Sequence, residues 1–365
     1  MDQTNNFMIK YARLLLFVLP LLMLTNCTEE AQRGMRAVPT AFGQLNEIVV
    51  VMDQELWDSH VGDTLRYYYS SAYPLLPQPE PVFDLRHFTP EDLKKDPLRK
   101  ELRTYMFVAN LAEEDSPTSQ VIRKDVGQQK TDEARDNLEI NNAAGRDKWA
   151  KGQLLVYQFA YSRDALIDAL KANFPAVKRR VNEFDKKKLE SYIYLDGVNN
   201  SLIKEVRDSM GVELRLPNDY FMAVNDGEVI WMRKETDKTS QNLLLKKMKY
   251  EDKAQLTEAY LLSLRDSIGR QYISSTIEDS YMRVNNEDLP IVFNTTKVNG
   301  NFAVEARGIW EIVGDYMGGS FISYMVLNPN TNELLFIDGF LHAPGEDKRD
   351  LMEHLDYIIN TLKFR

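Results

Sequence analysis

The chain has 365 residues, with 45 Lys and Arg against 55 Asp and Glu, four histidines and a formal net charge of −10. That balance excludes a generic nucleic-acid binder, which needs clustered Lys and Arg for phosphates. The single cysteine excludes an internal disulfide and any multi-cysteine metal site, while 44% hydrophobic and 10% aromatic residues supply a sizeable core rather than a disordered chain.

At the N-terminus, Lys10 and Arg13 precede an apolar run from Leu14 to Leu24, interrupted by Pro20. As a helix this run measures roughly 16 Å, about half a bilayer core. Positive charge before it and polar sequence after it make residues 1–26 the pattern of a secretory signal peptide. Cys27, the only cysteine, follows. The stretch Leu24-Thr25-Asn26-Cys27 resembles a bacterial lipobox, with Asn26 departing from the small residue usual before the cysteine. The resemblance implies a diacylglyceryl thioether on Cys27, palmitate-type acylation and a mature N-terminus at the same residue. Two or three acyl chains hold a protein stably at a membrane, where one holds it reversibly. No later run approaches the length of a spanning helix. Thr28-Glu29-Glu30 resembles the surface-export signal of Bacteroidetes lipoproteins and equally fits a solvated tether. Residues 27–44, with Gly34, Pro39 and Gly43, read as the lipidated cysteine and a flexible tether reaching roughly 20–25 Å.

In the body, Asn46 to Met52 reads as a buried strand, followed by a helix capped by Asp53 through Leu56, Trp57, Val61 and Leu65. The Pro-rich stretch 74–97 predicts extended segments and turns, Thr104 to Leu111 a strand, and 113–150 two surface helices. Leu154 to Tyr161 predicts a strand, and Ser162 caps a helix that Pro175 interrupts and restarts. Ser191 to Leu195 reads as a strand. Leu202, Val206 and Met210 form a helical stripe stopped by Gly211. Phe221 to Val224 and Glu228 to Arg233 flank the turn Asn225-Asp226-Gly227 as a hairpin. A helix through Leu256, Leu261, Leu264 and Ile268 is expected to end at Gly269. Short strands follow at 291–294, 301–307, 309–313, 320–327 and 333–341, then a helix from Glu346 to Leu362.

These elements predict an α+β fold with mixed or antiparallel sheets and packed helices, in two subdomains over 45–190 and 191–365. The blocks 45–160 and 190–235 share a strand–helix–strand order, consistent with a diverged duplication or with chance.

Three passages carry a family resemblance: Leu24-Thr25-Asn26-Cys27, the run Val212 to Pro217 with Asn225-Asp226-Gly227, and Asp338 to Arg349. With these the chain resembles an uncharacterised family of Bacteroidetes lipoproteins bearing a domain of unknown function. The resemblance implies a lipid-anchored cell-envelope protein, with the outer membrane as the expected location, and carries no catalytic residues.

No nucleophile elbow, phosphate loop or zinc-protease motif is present, and His60, His87, His342 and His354 lack metal-ligand spacing. No catalytic residue, metal site or cofactor is therefore assigned. The expected partners are membrane lipid through acylated Cys27 and an envelope protein or polymer, with no nucleic acid. His342, Gly345, Lys348 and Arg349, around an expected helix start, form the candidate anion site, with Glu346 and Asp347 as competitors for the same donors. Tyr67-Tyr68-Tyr69, Trp231 and Trp310 are candidate stacking residues, with core packing as the alternative. The runs Lys178-Arg179-Arg180 and Lys186-Lys187-Lys188 read as a solvated helix face or a lipid head-group contact. Two functional readings follow: a non-enzymatic binding or accessory protein, or an envelope hydrolase or transferase with a carboxylate-based site, which requires a cleft holding ionisable groups of shifted pKa.

Overall fold

The computed structural model describes residues 38–137 and 139–365. The expected signal peptide, the Cys27 lipidation site and tether residues 28–37 lie outside the described residues. Residues 38–44 are part of the body rather than of a free tether: Thr40 bridges to Lys151 and Phe42 to Leu102.

The first half is a three-layer arrangement built on strands β1 (Glu47–Val51), β2 (Asp84–Phe88), β3 (Thr104–Asn110), β4 (Asn142–Arg146) and β5 (Leu154–Ala160). Their spatial order is β2-β1-β3-β5-β4, parallel except for β4. The apolar runs of β1, β3 and β5 lack alternation because both faces are covered. Helices α1 (Gln54–Trp57) and α2 (His60–Tyr69) pack on one face through Leu56, Val61 and Leu65. Helices α3 (Pro90–Lys95), α4 (Pro117–Val126) and α5 (Gln128–Asp136) pack on the other through Leu93, Ile122 and Ala134. In the Pro-rich stretch expected to form extended segments and turns, β2 is such an extended segment, whereas α3 is a helix; Thr89 and Asp92 form a reciprocal capping box there, with Pro90 in the first turn.

Helix α6 (Arg163–Ile193) runs unbroken for 31 residues, about 46 Å, instead of restarting at Pro175. Pro175 faces solvent, where the carbonyl one turn earlier can bind water. The strand expected at Ser191 to Leu195 is the last turn of this helix, where Tyr194 N–H donates to Glu190 O. Leu166, Leu170 and Val181 of α6 lie in the first core, whereas Leu189, Ile193 and Tyr194 beyond the end pack into the second.

The second half comprises α7 (Asn200–Met210), β6 (Val212–Glu213), β7 (Phe221–Asn225), β8 (Val229–Glu235), β9 (Ser240–Lys249), α8 (Glu258–Tyr272), β10 (Tyr281–Asn285), β11 (Val292–Val298), β12 (Asn301–Val313), β13 (Gly318–Asn328), β14 (Glu333–His342), α9 (Arg349–Ile359) and β15 (Lys363–Phe364). An eight-stranded antiparallel sheet runs β10-β12-β13-β14-β9-β8-β7, with β11 also on β12, and β15 pairs β6 separately. Helices α7 and α9 cover one face through Val206, Leu355 and Ile359. Helix α8 covers the other through Leu261 and Ile268 against Trp310 and Phe336. The strands expected at 301–307 and 309–313 are one strand, β12. Helix α8 continues through Gly269, which is there for another reason: a Cβ at that position would lie 2.6 Å from Met282 O. The resemblance between blocks 45–160 and 190–235 does not extend to pairing, since β1 and β3 are parallel neighbours and β7 and β8 an antiparallel hairpin.

A strap from the first half seals the junction. Ala72 bridges Pro81, and Leu76 between them is buried in the second core. The Ser320 hydroxyl donates to Leu75 O at 3.1 Å.

Candidate functional site between the two halves

A cleft of about 390 Å³ opens between the halves. Its walls follow from helical periodicity: Lys178, Asn182, Asp185 and Leu189 share one face of α6, and Glu353, Asp356 and Tyr357 one face of α9, with Asn360 capping its end. Arg307 enters from β12, Tyr73 from the strap, and Asn46 from the residue before β1. Asn46 is buried and left-handed at φ 58°, a conformation that Asn tolerates better than most side chains.

Most of these charges are already matched. The backbone N–H of Asn46 donates to Asp185 Oδ2 at 3.0 Å, and Arg103 Nη2 to Asp185 Oδ1 at 2.6 Å. Arg307 donates to Glu305 at 2.7 Å and to Asp356 Oδ2 at 2.8 Å, while the Tyr324 hydroxyl donates to Asp356 Oδ1 at 2.8 Å. Against the penalty of burial, Asp356 and its acidic neighbours hold Arg307 firmly charged. Asn46 Nδ2 donates to Glu353 Oε2 at 2.9 Å and thereby joins the halves. Burial pushes Glu353 up to about 7, even though the Asn46 bond opposes the shift. Burial, aided by Arg307, pulls the Lys178 ammonium below its ordinary range. Two groups of opposite sign, one from each half, thus face the same space and are both driven toward neutrality.

The expected anion site at 342–349 is distributed differently. His342 ends β14 and uses Nδ1 on Gly318 O at 3.0 Å. Gly345 forms a left-handed turn at φ 75°. Helix α9 begins at Arg349, three residues later than expected, and its free N–H groups already hold an anion: those of Lys348 and Arg349 donate to the Glu80 carboxylate at 2.7 and 2.9 Å. The Lys348 ammonium binds Gln78 and the Arg349 guanidinium binds Asp84 and Asp350. The ligand of this helix end is the protein's own strap.

A parallel sheet commonly binds ligands where its strand order reverses, here between β1 and β3. That crevice is an open, acidic hollow lined by Asp53, Glu55, Glu113, Glu114 and Asp115, in which Asp53 accepts from Ser116 and Thr118 instead of capping α1. Of the aromatic candidates, Tyr67 is exposed, Tyr69 and Trp310 are core residues, and Trp231 donates to Asn242. In the basic runs, Lys178 and Lys186 line the cleft, Lys188 donates to Gly43 O, and Arg179, Arg180 and Lys187 face solvent. The remaining histidines are separate: His60 is exposed at the start of α2, His87 stacks on Trp57, and burial pushes His354 down to about 4.

No curated protein matches the chain. Among solved structures, LpqN, involved in cell envelope biogenesis of Mycobacterium tuberculosis, aligns over 42% of this chain and 82% of its own, at 10% identity and TM-score 0.28. The Saccharomyces cerevisiae Ran-binding protein Mog1p aligns over 42% and 90%, at 7% and 0.27. The human StarD13 (DLC2) lipid transfer and protein localization domain aligns over 46% and 98%, at 10% and 0.21. Likeness at this level carries no argument about function. Family models are more informative about organisation: residues 41–193 match a domain of unknown function (DUF8532), and residues 199–361 match another (DUF4837). The two halves of the chain therefore each match an uncharacterised domain family.

Proposed function

We propose that this chain is a lipid-anchored protein of the cell envelope, placed at the outer membrane by acylated Cys27, whose body binds a small ligand in the cleft between its halves as a binding or accessory protein. The observation that carries the binding role is the convergence of ionisable side chains from α6, α9 and β12 on one cavity. Among the described residues, the lining holds no Ser, Thr, Cys or His, the usual nucleophiles and bases of hydrolases and acyltransferases. One observation favours a second reading, a carboxylate-based hydrolase or transferase: a carboxyl held near 7, as Glu353 is, suits general acid–base work.

Asn182→Trp tests the binding role, because Asn182 lies exposed on the cleft wall. Small molecules that raise the melting temperature of the detergent-solubilised full chain are expected to lose that effect in the variant. Hits that stabilise both proteins equally would remove the cleft from consideration. The anchor is tested by Cys27→Ser with fatty-acid labelling and cell fractionation. The variant is expected to lose label and leave the membrane pellet; a labelled or fully pelleting variant ends that part of the proposal.

A further inference from the structure

We infer that the cleft takes a small zwitterion, a free amino acid or short peptide, with its carboxylate on Lys178 and its ammonium on Glu353. The inference rests on the cleft being a binding site and names what it binds.

The charge inventory of the walls carries it. Three cations, Lys178, Lys186 and Arg307, stand with four carboxylates, Glu183, Asp185, Glu353 and Asp356. Arg307 is committed to Glu305 and Asp356, and Asp185 to Arg103 and Asn46. Among the described residues, no hydrogen bond or ion pair reaches Lys178. Among the same residues, the one hydrogen-bond donor to Glu353 is the neutral Asn46. Lys178 feels the field of Glu353 across the cleft, yet no ion pair joins them, so the space between them is open to a third party. A purely anionic ligand would meet Asp356, Asp185 and Glu353, and a purely cationic one Lys178 and Arg307. A molecule bearing both signs, oriented as proposed, meets opposite charge at each end. It also supplies what each half-buried ion lacks, since an unpaired charge away from water is costly. A cavity near 390 Å³ falls within the range of small-molecule sites.

The protonation states agree with this geometry. Glu353 sits near 7 because burial penalises its anion, and Lys178 is lowered for the same reason. An ammonium beside Glu353 draws off its proton, so binding releases protons and strengthens as pH rises from about 6 to about 7, until the ligand's own amine, at about 8, begins to lose its charge. Asp350 and Asp185 also raise Glu353, while Arg349 lowers it.

The test uses four probes on the solubilised full chain: a dipeptide mixture, the same mixture N-acetylated, the same mixture C-amidated, and a mixture of neutral sugars. Thermal shift identifies binders and calorimetric titration measures them. The free dipeptides are expected to bind, and either blocked form to bind at least tenfold more weakly. Lys178→Met weakens the free dipeptides at least tenfold and leaves the amidated ones unchanged; Glu353→Gln does the same relative to the acetylated ones. Blocked and free dipeptides binding alike would overturn the assignment. Sugars binding in a manner that Asn182→Trp abolishes would overturn the zwitterion and leave the cleft as a site. No stabilisation by any probe would overturn both.

Discussion

Replacing Glu353 by Gln is expected to stabilise the protein by about 3 kcal/mol at pH 8 and to change little at pH 4. Burial raises this carboxyl from an ordinary 4.5 to about 7, and each unit is worth about 1.4 kcal/mol. Because the folded pKa is the higher one, the folded state holds a proton that the unfolded chain releases. Its contribution is fully present below about 4.5 and is lost as pH climbs through 7. Glutamine is neutral throughout and its Oε1 still accepts from Asn46 Nδ2. Urea unfolding of both proteins across this range measures the effect. A gain independent of pH would show that packing, not charge, is responsible.

The second large effect lies away from the cleft, under α8. Arg265 and Asp338 are 1% and 2% exposed, joined from Nε to Oδ1 at 3.1 Å. The Ser323 hydroxyl donates to the same oxygen at 2.5 Å, and the guanidinium lies 3.9 Å over the Phe321 ring. Burial outweighs the guanidinium and holds Asp338 above the usual carboxylate range. Among the described residues, Arg265 Nη1 has no hydrogen-bond partner, so the pair is imperfectly satisfied. Arg265→Met strands a carboxylate in the core and is expected to cost about 3–5 kcal/mol at pH 7. The cost shrinks as pH falls and Asp338 takes up a proton. The double variant Arg265→Met with Asp338→Leu is expected to recover most of the loss, because matched apolar side chains replace a buried pair at little cost. Denaturant titrations of the singles and the double close the cycle. A double variant as unstable as the single would mean that shape, not charge, is what the pair supplies.

Local chemistry was the legible part of the sequence. Asp226 in the Asn-Asp-Gly turn accepts from the N–H groups of Glu228 and Val229, with Gly227 at φ 88°, a turn that needs no distant partner. The apolar runs of β1, β3 and β5 were equally plain. Strand β9 was not, because Ser-Gln-Asn, three leucines and Lys-Lys show no alternation in a strand packed on both sides. Pro175 pointed to a break that a solvent-facing position does not require. The cleft left the fewest traces, since Asn46, Lys178, Arg307 and Glu353 meet only through tertiary folding. One signal was available: Asp185 stands in register with Val177 and Val181 on the buried side of α6 and is itself 5% exposed. An acid on an apolar stripe announces a partner, and Arg103 and Asn46 are that partner.

A helix shared by two hydrophobic layers has a mechanical consequence. Helix α6 has no loop between its ends, so the width of the gap beside it changes by elastic flexing of the rod, softest at Pro175, where one backbone hydrogen bond is missing. Motions of the two bodies are then small and springy, not free rotations, and tension applied at either end of the rod reaches Lys178 and Asp185 directly.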